Sequence, residues 1–158
     1  MVPLSSPRSR EETVDKVEAL RSSPLLRALS ESELKALMGI VNERSLAAGQ
    51  TLITAGEKGV AMYIILEGKV QVSRGGTALS VLGPGQHVGE MALLAPEDIV
   101  RSADVVALEP SKVLQIAAWD LSTFIDSNPA VAKAIITELA RRLALADERL
   151  VSILAGGA

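Results

Sequence analysis

The stretch Gly89-Glu90-Met91-Ala92-Leu93-Leu94, followed after a short loop by Arg101-Ser102-Ala103, gathers the residue types best able to do chemistry in this chain. Gly89 has no Cβ, so a ligand can approach its backbone closely. Glu90 can accept a hydrogen bond from a hydroxyl. Met91–Leu94 can form one helical turn whose free amides face an anion. Arg101 offers a planar, permanently charged fork that matches a phosphate, and Ser102 adds a hydroxyl beside it. A carboxylate for a sugar hydroxyl, with amides and an arginine for one phosphate, describes a ribose-phosphate site. The plainer alternative makes Glu90 and Arg101 surface charges and the glycines simple turns. For either charge taken alone, that alternative is the better one.

Composition removes other classes. The chain has 158 residues, the size of one domain at about 100–200 residues each. Sixteen Lys and Arg against nineteen Asp and Glu give a net charge of −3, which is no electrostatic footprint for nucleic acid. With one Trp, one Tyr and one Phe, aromatic platforms for stacking bases are nearly missing. The absence of cysteine excludes a disulfide scaffold, a Cys-ligated metal and a thiol nucleophile. The single histidine, His87, excludes a His-rich metal site and leaves a His-dependent triad without support. His87 is expected to replace an apolar core residue. No metal and no resident cofactor are therefore expected. No apolar run reaches the roughly 18 residues of a membrane span, and residues 1–10 lack the apolar region of a secretory signal. These features point to the cytoplasm, with no membrane insertion.

The elements that must position the candidate site fall into three zones. Residues 1–10 read as a disordered tail, and residues 11–43 as N-terminal helices. Val14, Val17 and Leu20 mark the first helix, and a capping box of Ser30 with Glu33 opens the second, through about Val41. Residues 44–117 change character, since every glycine except Gly156 and Gly157 lies between Gly39 and Gly89. Short apolar segments at 51–54, 62–66, 69–73, 78–82, 103–108 and 112–116 alternate with these turns, as in an antiparallel sandwich or barrel. Residues 118–158 are helical again. A short helix covers Trp119 to Ile125, with Trp119 expected to pack the barrel against the helices. Asn128-Pro129 then starts a long helix over 129–154.

The joint pattern Gly89–Leu94 and Arg101–Ala103 resembles the phosphate-binding cassette of cyclic nucleotide-binding domains. Two upstream segments are similar to that family as well. Gly56-Glu57, Met62-Tyr63-Ile64-Ile65 and Glu67-Gly68-Lys69-Val70-Gln71-Val72 look like its first glycine turn and hairpin. Gly83-Pro84-Gly85-Gln86 looks like the turn into the cassette. The resemblance spans residues 20–155. It implies an α+β fold, an antiparallel β jelly-roll barrel flanked by N-terminal helices and a long C-terminal helix, with the cassette at 89–103. It implies that Glu90 accepts from the ribose 2′-hydroxyl while Gly89 allows close approach. Arg101 would pair with the phosphate, helped by Ser102 and the amides of Ala92 and Ala103; Met91 belongs to the same ligand-binding turn, its side chain expected in the core. Three positions depart from the pattern. Val60 stands where an acidic residue is frequent, Val88 where an aromatic is frequent, and the loop up to Arg101 is slightly long. Glu97 and Asp98 also put negative charge near the phosphate entrance.

In the C-terminal helix, Ile136, Leu139, Leu143, Ala146, Leu150 and Ile153 follow a 3-4-3-4-3 spacing, an a/d seam suited to a parallel homodimer. The alternative is that this stripe covers the barrel of its own subunit. The family's purine contacts match Ala146 and Asp147, of which only Asp147 can accept from a base through its side chain. That leaves cAMP and cGMP both open, with cAMP favoured because it is the commoner bacterial ligand of the family. Only a few residues follow Ile153, so no winged helix-turn-helix or other output domain is expected. The leading expectation is a stand-alone cAMP or cGMP sensor, not an enzyme, that relays binding through its helices to an unidentified effector protein. A protein-interaction module of the same fold that binds no nucleotide is the alternative.

Overall fold

A computed structural model describes residues 16–23, 26–27, 29–89 and 100–156 of the chain. The tail at 1–10, Val14, and the cassette residues Glu90, Met91, Ala92, Glu97 and Asp98 lie outside the described residues.

Residues 16–22 are helical. Helix α1 spans Glu31–Met38, and its capping box is complete: Glu33 N donates to Ser30 Oγ while Ser30 N donates to the Glu33 carboxylate. It ends before Gly39, three residues short of Val41, where the Gly39 amide closes back on Ala36 O. Eight strands follow: β1 (Asn42–Leu46), β2 (Thr51–Ile53), β3 (Ala61–Glu67), β4 (Val70–Arg74), β5 (Thr77–Leu82), β6 (His87–Val88), β7 (Asp104–Ala107) and β8 (Ser111–Ala117). Helices α2 (Ala118–Ser127) and α3 (Pro129–Gly156) complete the chain. Pro129 is the first residue of α3, as its fixed φ favours. The Asn128 side chain serves the end of α2, its Nδ2 donating to Phe124 O.

Of the expected sandwich or barrel, the structure forms the two-sheet arrangement, and the barrel is not closed. The strands make two antiparallel four-stranded sheets, ordered β1-β8-β3-β6 and β2-β7-β4-β5. Among the described residues no strand of one sheet pairs with a strand of the other, so the sheet edges stay unjoined. The two sheets instead pack face to face.

Period-two alternation in β3 divides the core into two layers. Ala61, Tyr63 and Ile65 face the second sheet, packing with Leu46, Leu52, Ile53, Val70, Val105 and Val113. Met62 and Ile64 face the helices, packing with Leu20, Leu34, Leu37, Leu114, Phe124, Val131 and Ile135. The first sheet is thus covered on both faces, which is why β3 reads as an unbroken apolar run.

Trp119 does not pack the sheets against the helices; it is 80% exposed. The buried face of α2 is set by Leu121 and Phe124. At 100° per residue, Trp119 falls on the far side of that helix. Of the seam on α3, Leu139 is half-buried against its own subunit's core, but most of the stripe is not. Ile136, Leu143, Leu150 and Ile153 are 55–68% exposed, and the buried residues of the helix are Val131, Ile135 and Glu138. No helix among the described residues is long and apolar enough to cross a membrane.

Candidate functional site

Arg101 is the centre of the site and is only 7% exposed. Its guanidinium donates to Gly89 O at 2.7 Å and to Ala61 O, so the fork rests on two carbonyls at the mouth of β3 and β6. The main chain of Arg101 is held as firmly. Arg101 N donates to Glu57 O at 2.7 Å, and Gly56 N donates to Arg101 O at 2.9 Å. Asp104 Oδ1 accepts from Ala55 N at 2.8 Å in the same turn. On the other side, Arg74 Nε donates to Ser102 O at 3.0 Å. The Gly56-Glu57 turn therefore grips the arginine from below. Sequence reading placed that turn in the pattern without seeing this task.

Gly89 must be glycine for two reasons. Its φ is +94°, a region that side chains rarely adopt. A Cβ there would also lie 2.8 Å from Arg101 Nη1 and 3.1 Å from Ala61 O. Gly89→Ala is expected to cost about 1–2 kcal/mol for the backbone alone, and more for pushing the fork aside. The expected outcome is a melting temperature lower by several degrees, measured by circular dichroism. An unchanged melting temperature would show that neither the backbone geometry nor the contact matters.

Of the other sequence candidates, Ser102 is exposed and Ala103 half-buried, both adjoining Arg101 in the approach to β7. Glu90, Met91 and Ala92 lie outside the described residues. Asp147 sits on the arm of α3 over residues 143–156, where every residue is exposed. No described contact brings it to Gly89 or Arg101.

A second polar cluster lies behind the first. His87 is 3% exposed, buried as expected, but it also meets a charged partner. The guanidinium of Arg142 donates to its Nε2. Arg142 Nε also points at Glu138 Oε1, 3.4 Å away, and Glu138 accepts two further bonds from Arg141 at 2.6 and 3.0 Å. Glu138, Arg141 and Arg142 are not among the residues singled out from the sequence. The signal was available, since a Glu three and four residues before two arginines forms helical ion pairs.

The hydrogen bond from Arg141 holds the Glu138 carboxyl below the usual carboxylate range, helped by the charges of both arginines and opposed by burial. A carboxyl lowered on folding stabilises the protein above its unfolded value. That contribution is lost as pH falls through the lower folded value. Glu138→Gln is therefore expected to lower the melting temperature at neutral pH. The gap to wild type should shrink below about pH 4, where the carboxyl begins to protonate. Thermal melts of both proteins across that range check this, and a gap that stays constant would contradict it.

The cyclic nucleotide-binding domain model matches residues 43–128, from β1 through α2. The cyclic AMP receptor protein of Thermus thermophilus is 35% identical over 136 residues, covering 83% of this chain and 62% of its own length. The Pycsar effector protein PaPycTIR of Pseudomonas aeruginosa is 38% identical over 98 residues, covering 62% of this chain and 32% of that protein. The chain thus spans less than two thirds of either relative. Among solved structures, the N-terminal domain of a transcriptional regulator from Streptomyces coelicolor superposes with a TM-score of 0.70 at 32% identity, covering 84% of this chain and 94% of that one. Two antiparallel sheets with a buried arginine locked beneath a positive-φ glycine, and a match running from β1 to the end of the sheets and beyond, make this chain a member of the cyclic nucleotide-binding domain family.

Proposed function

We propose that the protein binds a cyclic purine mononucleotide at the cassette 89–103, cAMP in preference to cGMP, and releases it unchanged. The observation that carries this reading is the Arg101 guanidinium, buried and fixed on Gly89 O and Ala61 O at the start of the cassette. A fork fixed before the ligand arrives loses little freedom on binding a phosphate. Glu90 takes the ribose 2′-hydroxyl, while Ser102 and the amides of Ala92 and Ala103 assist at the phosphate. Asp147 accepts from the exocyclic amine of the base once α3 comes over the site. The name of the Thermus relative supports cAMP as the ligand.

The exposed stripe of α3 supports a parallel homodimer through Ile136, Leu143, Leu150 and Ile153, since an uncovered apolar strip of that length is a liability in a monomer. If the base rests on α3, ligand favours the state with that helix docked, and the populations shift accordingly. Signalling then runs from the cassette to the helices, and from there to an effector protein.

Calorimetric titration of the metal-free protein with cAMP and with cGMP tests the ligand assignment. The expected result is saturable binding of both, tighter for cAMP. Tighter binding of cGMP would reverse the base assignment, and no heat from either at millimolar ligand would leave an interaction module of the same fold.

A further inference from the structure

The hydrogen-bond register places His87 opposite Ile64, and Val88 opposite Tyr63, in the β3–β6 pair. Residues directly opposite in a pair share a face of the sheet. Ile64 belongs to the core layer beneath the helices, and Tyr63 to the layer between the sheets. His87 therefore points at the helices, two residues before Gly89, and there it meets Arg142 of α3. Arg142 also reaches back one helical turn to Glu138, which is 6% exposed and the last buried residue of α3. Beyond Arg142, residues 143–156 are all exposed. The cluster thus stands where the docked part of α3 ends and its free arm begins.

We propose that His87, Arg142 and Glu138 form a clasp that fixes α3 to β6, the strand that leads into the cassette, and makes the two move together. A guanidinium only donates, so the His87 nitrogen that faces it must be the acceptor. A leucine there would fill the space and leave Arg142 without that acceptor. Glutamine would put an amide oxygen close to the place of Nε2. Arg142 and His87 are positioning residues in this scheme. The clasp itself stands on the contacts just described, and its link to ligand rests on the cyclic-nucleotide reading above.

The test is amide hydrogen exchange on the full chain, first without ligand, in wild type, His87→Leu, His87→Gln and Arg142→Met. The clasp predicts exchange in α3 around residues 139–146 faster by roughly ten- to hundredfold in His87→Leu and Arg142→Met, the value of one hydrogen bond to a charged group. Strands β3 and β8 should be unchanged, and His87→Gln should return α3 toward wild type. Equal exchange in all four proteins overturns the clasp. So does a loss in His87→Leu that His87→Gln fails to rescue, because packing alone would then explain it. A second arm adds saturating cAMP. The expected result is that wild type and His87→Gln gain protection in α3 while His87→Leu binds cAMP without that gain. An equal gain in His87→Leu overturns the coupling. Absence of cAMP binding in wild type counts against the nucleotide reading alone, since the ligand-free arm has already decided the clasp.

Discussion

Arg101→Ala is expected to lose cAMP binding by about 30-fold or more, because truncating one partner of a buried charge-assisted contact costs about 2–5 kcal/mol. The size follows from where the side chain lies. At 7% exposure, with its fork on Gly89 O and Ala61 O, the guanidinium would meet the proposed ligand's phosphate largely screened from water. Arg101→Lys separates charge from shape. An ammonium keeps the charge but has no planar fork to span both carbonyls and a phosphate, so its affinity should fall between the other two. Thermal melts of both variants verify that the sheets remain folded, since the main chain of residue 101 keeps its bonds to Gly56 and Glu57 in either case. An alanine variant that binds as tightly as wild type would remove Arg101 from the site.

If the protein forms the proposed homodimer, the double substitution Leu143→Glu with Leu150→Glu is expected to convert it wholly to monomer while leaving the two sheets intact. Both leucines are more than half exposed and touch neither core layer, so their loss costs the subunit little. Full burial of a leucine contributes about 1.5–3 kcal/mol, and a two-fold interface counts each position twice. Four carboxylates brought into the seam would oppose association further. Light scattering on wild type and variant, with and without cAMP, decides the matter. A monomeric wild type under both conditions would mean that the stripe meets a different protein.

The parts of the fold legible in the sequence are those where one local signal dominates. The capping box at Ser30, Pro129 at the head of α3 and the apolar run of β3 all sit where expected. β1 was not visible, because Asn-Glu-Arg-Ser-Leu buries only its last residue and owes its place to pairing with β8. β6 was hidden because two residues carry no period. Open sheets in place of a barrel depend on which edges meet, a long-range matter that turns and alternation do not encode. In the site, Gly89 and Arg101 were found from residue type, and the structure joins them. The grip of Gly56 and Glu57 on Arg101 runs through main-chain atoms, which the side-chain sequence does not announce. The His87–Arg142 contact joins residues 55 positions apart and needed the β3–β6 register to be seen.

In the proposed complex a cyclic nucleotide lies against the joined pair Gly89 and Arg101. Titration of cAMP into the 15N-labelled protein, followed by amide and arginine Nε resonances, addresses it most directly. Saturable shifts are expected at Gly89, Ser102, Ala103 and Arg101 Nε, with the amides of β5, in the second sheet, unmoved. Resonances of that cassette set that stay in place at saturating cAMP, or shifts confined to other surfaces, would contradict it.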